Sequence, residues 1–449
     1  MKYEKYNLTP DAIWFKSVPV SWRATKMREV FSERNEKVSD TDYAPLSVGK
    51  MGVVPQLETA VKTDNGDNRK LIRKGDFAIN SRSDRKGSGG ISEYDGSSSL
   101  IITVLRPHND LNGRFYHYLL RSYYFIEEFY RNGHGLVSDL WTTKWDEMRN
   151  IYIPVPPREE QDQIVRYLDW QISKINKLIH GYQRQIKLLE EHKLTVINDA
   201  ITKGLNPNVE FKNVDSNWTG CIPAHWNFGT IKQHFRIQKR IAGKEGYDVI
   251  SITQQGLKVK DVASNEGQIA ASYANYQFVY PGEFAMNHMD LLTGYVGLSD
   301  IFGVTSPDYR VFALEDIENC DPQYYLYIFQ LGYKRRIFYG LGKGAASKGR
   351  WRMPAINFKN FGIPIPPIEE QRDIIQYIKE QENAINRLVE GIEKQIEFLK
   401  EYRTRLISDV VTGQMDVRGI EIPEYTPEED TEDISDTEEA ADEEVPENE

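Results

Sequence analysis

Two features common in other classes of protein are nearly or wholly missing from this sequence. Its 449 residues include only two cysteines, Cys221 and Cys320, too few for a disulfide framework and typical of a reducing cytoplasm. No apolar run reaches the roughly 18 residues that a membrane span needs. Because 40% of the residues are apolar and 12% aromatic, we expect a folded cytoplasmic protein with no membrane association.

The sequence also lacks the common catalytic and metal-binding motifs. It has no Gly-x4-Gly-Lys-Ser/Thr for ATP and no His-Glu-x2-His for zinc, and Cys221 with His225 has no second ligand pair. The stretch 321–324 reads Asp-Pro-Gln-Tyr and lacks the second proline of a base-methylating pocket. The glycines at 340–344 follow an aromatic stretch with helical spacing rather than a strand, which disfavours a nucleotide loop. We therefore predict no catalytic residue, no cofactor and no metal.

Positive charge is scarce only at one end of the chain. The net charge is −11, yet residues 421–449 contain 15 acidic residues and no basic one, so residues 1–420 have a net charge of −11 + 15 = +4. Low apolar content and high charge predict that residues 414–449 form an acidic disordered tail. The mildly basic remainder is compatible with nucleic-acid binding.

One unusual phrase is present twice. Residues 153–161 read Ile-Pro-Val-Pro-Pro-Arg-Glu-Glu-Gln, and residues 363–371 read Ile-Pro-Ile-Pro-Pro-Ile-Glu-Glu-Gln, an offset of 210. The pattern Trp-x3-Val/Ile-Pro-x2-Trp begins at Trp14 and again at Trp218, so it precedes the proline phrase in both halves. The chain is therefore a tandem duplication whose middle parts have diverged.

Each proline phrase predicts a joint between a strand and a long helix. Apolar residues alternate before the Pro-Pro pair, which ends the strand, and the Glu-Glu pair favours the first turn of a helix. Apolar or aromatic residues then recur every seventh position, at Leu168, Ile175, Tyr182, Leu189 and Val196, and at Ile378, Ile385, Ile392, Leu399 and Leu406. A second predicted inner row holds Ile164, Gln171, Leu178 and Gln185, with Ile374, Gln381, Leu388 and Gln395. These rows predict a coiled coil, with a helix lying on its own globular part as the alternative.

Helix length predicts the direction of the coiled coil. A helix of about 44 residues is about 65 Å long, whereas a domain formed by residues 206–362 is roughly 40 Å across. Such a domain cannot easily return the chain for a parallel pair, so we expect antiparallel helices. The predicted fold is α+β and pseudo-twofold, with two mixed α/β globular domains on an antiparallel coiled coil. Predicted boundaries are 1–157 and 206–367 for the domains, 158–205 and 368–413 for the helices, and 414–449 for the tail.

This double set of motifs resembles the specificity subunit of type I restriction–modification enzymes, over residues 11 to about 415. The resemblance implies a non-catalytic subunit that binds double-stranded DNA, each variable domain reading one part of a bipartite site. It also implies that the helices dock two DNA methyltransferase subunits, with a motor-nuclease subunit as a further partner. The acidic tail is outside the family pattern.

Basic and small polar residues on predicted loops are the candidate DNA contacts, because phosphates need Lys or Arg and base edges need Arg, Asn, Gln or Ser. We predict Asn80, Ser81, Arg82, Arg85, Lys86 and Lys144 in the first half, and Lys343, Ser347, Lys348, Arg350 and Arg352 in the second. Solvated loops without a ligand are the competing interpretation.

Two other functions remain possible at this point. One is a self-contained restriction-type DNA methyltransferase or nuclease, against which the missing motifs argue. The other is a coiled-coil adaptor that holds two proteins and never binds DNA. A duplex-binding assay with and without a methyltransferase would separate them.

Overall fold

The computed structural model describes residues 2–56, 66–108, 111–135, 141–254, 256–261, 270, 272–344 and 351–428. The chain forms two compact units. Unit 1 is Met1–Gln183 with Glu393–Glu449, and unit 2 is Arg184–Ile392. Each of the two long helices begins in one unit and ends in the other.

Unit 1 combines short strands with short helices before its long helix. Its strands are β1 (Tyr6–Leu8), β2 (Ser17–Pro19), β3 (Arg23–Lys26), β4 (Phe31–Glu33), β5 (Lys37–Val38), β6 (Leu46–Gly49), β7 (Gly52–Pro55), β8 (Arg69–Ile72), β9 (Phe77–Asn80), β10 (Gly89–Ile91), β11 (Gly96–Ser98), β12 (Ile102–Pro107) and β13 (Tyr152–Val155). Its helices are α1 (Gly113–Leu120), α2 (Tyr123–Arg131), α3 (Trp145–Met148) and the long α4 (Arg158–Lys203).

Unit 2 repeats this composition. Its strands are β14 (Phe211–Asn213), β15 (Cys221–Pro223), β16 (Asn227–Thr230), β17 (Phe235–Gln238), β18 (Ile250–Thr253), β19 (Gly256–Val259), β20 (Gln277–Val279), β21 (Phe284–Met286), β22 (Val296–Leu298), β23 (Gly303–Thr305), β24 (Arg310–Leu314) and β25 (Gly362–Ile365). Its helices are α5 (Ile231–His234), α6 (Pro322–Lys334), α7 (Ala355–Lys359) and the long α8 (Ile368–Val411).

The central sheet has the same order in both units. It is antiparallel, β10-β9-β12-β4 in unit 1 and β22-β21-β24-β17 in unit 2. Phe77 pairs with Leu105 in the first sheet, and Phe284 pairs with Phe312 in the second. All four side chains are buried, because apolar clusters cover the sheets. The predicted mixed α/β fold is therefore confirmed.

The proline phrases form the predicted strand-to-helix joints, and the structure explains their final glutamine. Gln161 is buried; its Nε2 donates to Pro156 O (3.0 Å), and its Oε1 accepts from Asn112 N (3.0 Å) just before α1. In unit 2, Gln371 Nε2 donates to Pro366 O (2.8 Å) and Oε1 accepts from Asp321 N (2.8 Å) just before α6. The glutamine thus ties the joint to a neighbouring helix.

The long helices are antiparallel within each unit. In unit 1, Arg403 Nη1 donates to Asn176 Oδ1 (2.9 Å), and the earlier Tyr167 donates to Sδ of the later Met415 (3.8 Å). In unit 2, Lys193 Nζ donates to Asn386 Oδ1 (3.3 Å). The later residues of α4 in unit 2, Ile197 and Ile201, share a core with the earlier residues of α8, Ile374 and Ile378. The predicted antiparallel direction is confirmed.

The second predicted inner row of the coiled coil is wrong at its leucines. Ile175 and Ile385 of the first row are buried, but Leu178 is 53% exposed and Leu388 is 56% exposed. The residue that turns inward beside Ile175 is Ile179, four positions on rather than three. On a helix, the residues three and four positions after a residue of the first row lie on opposite sides of that row. Which of the two is buried depends on where the partner helix lies.

The chain after α8 also differs from expectation. Residues 414–428, here called the C-terminal strap, lie along α4 instead of forming the start of a disordered tail. Gln163 Nε2 donates to Val417 O (3.0 Å) and Ile420 O (2.8 Å), and Asn176 Nδ2 donates to Glu428 O (3.3 Å). These contacts use backbone carbonyls, so an acidic composition does not prevent them. Residues 429–449 lie outside the described part of the chain.

Candidate nucleic-acid interface

A tryptophan closes the base of a loop in unit 1. Trp141 Nε1 donates to Tyr130 O (2.8 Å), and the backbones of His134 and Thr142 exchange two hydrogen bonds (2.9 and 3.0 Å). A Cβ at Gly133 would lie 2.6 Å from Trp141 Nε1, so only glycine fits there. We call residues 133–143 anchored loop 1; residues 136–140 are outside the described part.

Unit 2 holds an equivalent loop in the same way. Trp351 Nε1 donates to Tyr339 O (2.7 Å), and Lys343 and Arg352 exchange two backbone hydrogen bonds (2.9 and 3.2 Å). A Cβ on Gly342 would overlap the Trp351 indole. We call residues 342–353 anchored loop 2; residues 345–350 are outside the described part.

Each anchored loop is hydrogen-bonded to a residue that follows an inner strand of its four-stranded sheet. Thr143 N donates to Ser81 O (2.9 Å) after β9, and Met353 N donates to His288 O (2.9 Å) after β21. In unit 1 this contact brings together the predicted segments around residue 80 and residue 144. The fold therefore joins two distant loop segments into one surface per unit.

The basic residues predicted in unit 1 lie on this surface. Arg82 pairs with Thr142 of anchored loop 1 through an isolated bridge, and Lys144 is exposed directly after that loop. Lys86 is exposed, forms an ion pair with Glu127 (2.8 Å), and lies 5.7 Å from the Tyr130 ring centroid. Arg85 is the last residue of the short 3-10 turn between Arg82 and Lys86, and its carbonyl accepts from the Tyr130 hydroxyl (3.2 Å).

The polar residues predicted beside them support the loop. Ser81 is buried and its hydroxyl donates to Ile101 O (2.8 Å), while Asn80 Oδ1 accepts from Arg82 N (3.0 Å). Both side chains are used to shape the turn that presents Arg82. Their predicted role as DNA contacts has no support in this geometry.

In unit 2 the predicted Lys343 and Arg352 occupy the two facing positions at the base of anchored loop 2, and both are exposed. The other predicted residues, Ser347, Lys348 and Arg350, lie outside the described part of the chain.

Sequence reasoning missed the residues that hold these loops. A tyrosine, a glycine three positions later and a tryptophan eight or nine positions after the glycine are present in both halves, as Tyr130, Gly133 and Trp141 and as Tyr339, Gly342 and Trp351. This duplicated spacing was a usable signal.

Two basic side chains at the base of anchored loop 2, the half-buried His288 and the buried Arg310, were also missed. Burial, with the nearby cations Arg310, Arg352 and Lys239, lowers the pKa of His288 to about 3. Burial lowers the pKa of Arg310 to about 10, so the guanidinium remains protonated at neutral pH. The base of this loop is therefore positively charged.

The described residues contain no group of three His, Cys, Asp or Glu side chains placed to hold a metal ion. Within the same ranges, none of the helices combines the length and the apolar character that crossing a membrane requires.

Comparisons with known proteins agree on one family. A family model described as type I restriction modification DNA specificity domain matches residues 19–188 and 227–398. The putative type I restriction enzyme MjaX specificity subunit of Methanocaldococcus jannaschii is 25% identical over 411 residues, covering 86% of this chain and 87% of the relative. The MjaVIII specificity subunit of the same organism is 24% identical over 290 residues, covering 60% and 64%.

A solved structure has a similar fold. It comes from work on complex assembly and conformational transition of the type I R-M system, at 15% identity and a TM-score of 0.60. The match covers 89% of this chain and 99% of the other.

Proposed function

Since this chain belongs to the type I restriction–modification DNA specificity family, we propose that its two units each read one half of a bipartite site in double-stranded DNA. The observation that supports this most is the repeated anchored loop, closed by Trp141 in unit 1 and by Trp351 in unit 2. Exposed cations border both loops and suit phosphate contacts. The diverged loop sequences would read different bases.

We propose further that the chain itself is non-catalytic. Methyltransferase subunits would supply the base chemistry, and a motor-nuclease subunit would be a further partner. The free thiols of Cys221 and Cys320 are compatible with the cytoplasm, where the DNA would be bound.

The test is to express the full chain with the methyltransferase encoded beside it and to map methylated bases across a genome. We expect one bipartite motif with two unlike halves, absent when either protein is omitted. Methylation or cleavage by the purified chain alone would instead favour a self-contained enzyme. Methylation without any motif, or no duplex binding at all, would favour the protein-adaptor alternative.

The long helices provide a candidate docking surface for the methyltransferase. In unit 1, the exposed apolar residues Leu178, Phe398 and Tyr402 lie at similar depth on the two helices. In unit 2, Leu188 and Leu388 are exposed. An offset of 210 relates Leu178 to Leu388 and Leu188 to Phe398. The exposed apolar pair of unit 1, Leu178 with Phe398, therefore corresponds to the pair Leu388 with Leu188 in unit 2. Because the duplication repeats this pair once in each unit, we propose that two copies of one partner bind.

Changing these residues tests the docking proposal. Replacing Leu178 and Phe398 by Glu should remove one methyltransferase, and replacing Leu188 and Leu388 by Glu the other. Loss of a central apolar contact costs about 2 kcal/mol or more, roughly a 30-fold weaker affinity. Light scattering after gel filtration measures the mass of each complex. Lys379→Glu, an exposed change elsewhere on α8, is the control; complexes of unchanged mass in both double variants would contradict the proposal.

A further inference from the structure

Arg310 in β24 is a buried cation without a full set of partners. It is 6% exposed, and its guanidinium carbon lies 4.5 Å from the Phe358 ring centroid. Nη2 donates to Met353 O (3.1 Å) at the end of anchored loop 2. Nη1 is buried and has no hydrogen-bond partner among the described residues.

Arg69 in unit 1 is also 6% exposed and donates to Ser97 Oγ (3.0 Å), and two less buried arginines have carboxylate partners. Arg34 donates to Asp76 in unit 1 (2.7 Å), and Arg240 donates to Glu283 in unit 2. The position that corresponds to Arg310 in unit 1 is Thr103, since it pairs with Ile79 of β9 as Arg310 pairs with Met286 of β21. At this position of the sheet the buried charge is therefore a feature of unit 2, and the described residues contain no carboxylate paired with it.

Charged groups of both signs lie around Arg310, since Asp290 acts on Tyr333 together with Arg310, while two exposed cations act on His288. His288, whose backbone carbonyl accepts from Met353 N, has a buried Nδ1 that also lacks a hydrogen-bond partner among the described residues. Three cations act on His288, namely Arg310, Arg352 and Lys239, and all three disfavour its protonation. Arg352 and Lys239 are exposed. Thus exposed cations border a buried one, with no carboxylate ion pair to Arg310 in the described structure.

A buried charge without a counter-ion costs several kcal/mol and is retained where a ligand supplies the opposite charge. We propose that the base of anchored loop 2 binds a phosphate group, through Arg352 and Lys239 at the surface with Arg310 behind them. If the proposed function holds, the phosphate is one in the backbone of the recognised DNA. Arg310 then acts as a positioning residue that adds positive charge behind the direct phosphate contacts.

Arg310→Met separates this role from a purely structural one. Methionine keeps an apolar side chain against Phe358 and removes a charge that nothing in the described structure neutralises, so the unfolding midpoint in phosphate-free buffer should stay the same or rise. If Arg310 only supported the loop, the Arg310→Met substitution would lower the unfolding midpoint. Arg310→Lys keeps the charge and should bind phosphate nearly as the natural chain does.

The first arm uses inorganic phosphate and the full chain. Phosphate should raise the thermal midpoint relative to chloride at equal ionic strength, because it binds only the folded state. The rise should be absent in Arg310→Met and present in Arg310→Lys. Arg236→Met is the matched control, since Arg236 is an exposed cation on the same sheet paired with Glu315 (4.0 Å). No phosphate effect on the natural chain would overturn the proposal.

The second arm uses the complex with methyltransferase and its DNA site. Arg310→Met should weaken binding about tenfold without changing base preference, because the phosphate loses the attraction of a charge behind its direct contacts. The slope of log affinity against log salt should become shallower. An unchanged slope, together with a rise of the thermal midpoint by phosphate in the first arm, would identify a free-anion site and overturn the DNA assignment. Failure of the natural complex to bind DNA would overturn the proposed function, while the first arm still reports on the anion site.

Discussion

Exchanging residues 206–367 for the same segment of another specificity subunit should change one half of the recognised sequence and leave the other half unaltered. Mismatched base pairs each cost about 1–3 kcal/mol, so losing a whole half-site should lower affinity for the original site by about 10³-fold or more. Methylation mapping of the exchanged complex measures both halves at once.

The structure sets the conditions for this exchange. Asn227 pairs with Ile365, so the β16–β25 pair stays inside the segment. The new domain must still pack on the retained helices, where Tyr324 now donates to Ile201 O (2.8 Å). Exchange of residues 1–157 is the reciprocal control and should change only the other half. Two altered halves after either exchange would contradict independent reading.

A heptad inserted in both helices should lengthen the gap between the half-sites by about three base pairs, because seven helical residues add about 10.5 Å. Suitable points are after Gln183 in α4 and after Ile392 in α8, where both helices pass from one unit to the other. Binding should weaken, since three base pairs also turn the second half-site by about 100°. Neither half-site should change.

The matched control inserts the heptad in α4 alone. That insertion shifts α4 against α8 and should break pairs such as Asn176 with Arg403, lowering the unfolding midpoint. A double insertion that leaves the gap unchanged in methylation mapping would show that helix length does not set the spacing.

Local signals predicted the parts of the fold that depend on local physics. In both halves Pro-Pro ends the strand before the long helix, as predicted, and the structure shows that Gly204 and Gly413 follow the two helices with a φ of 73°. The role of Gln161 and Gln371 could not be predicted, because their partners Asn112 and Asp321 lie 49 and 50 residues away.

The candidate interface was predicted only in part. Basic residues such as Arg82, Lys144 and Arg352 mark exposed loops because charge favours water. The burial of Ser81, and the absence of a hydrogen-bond partner for Arg310 Nη1 among the described residues, depend on neighbours that the linear order does not show.

The sequence alone determined the duplication, the two strand-to-helix joints and the direction of the helix pair, because repeats, turn residues and helix length are local or additive quantities. Only the tertiary structure decided which flank of each helix is buried, leaving Leu178 and Leu388 exposed. It also decided that the strap binds α4 through backbone carbonyls and through the Glu428 carboxylate, which lies 2.9 Å from His180 Nδ1. Which side chains are buried and which backbone groups pair depends on where the packing segment lies in space, and the composition of the sequence does not contain that information.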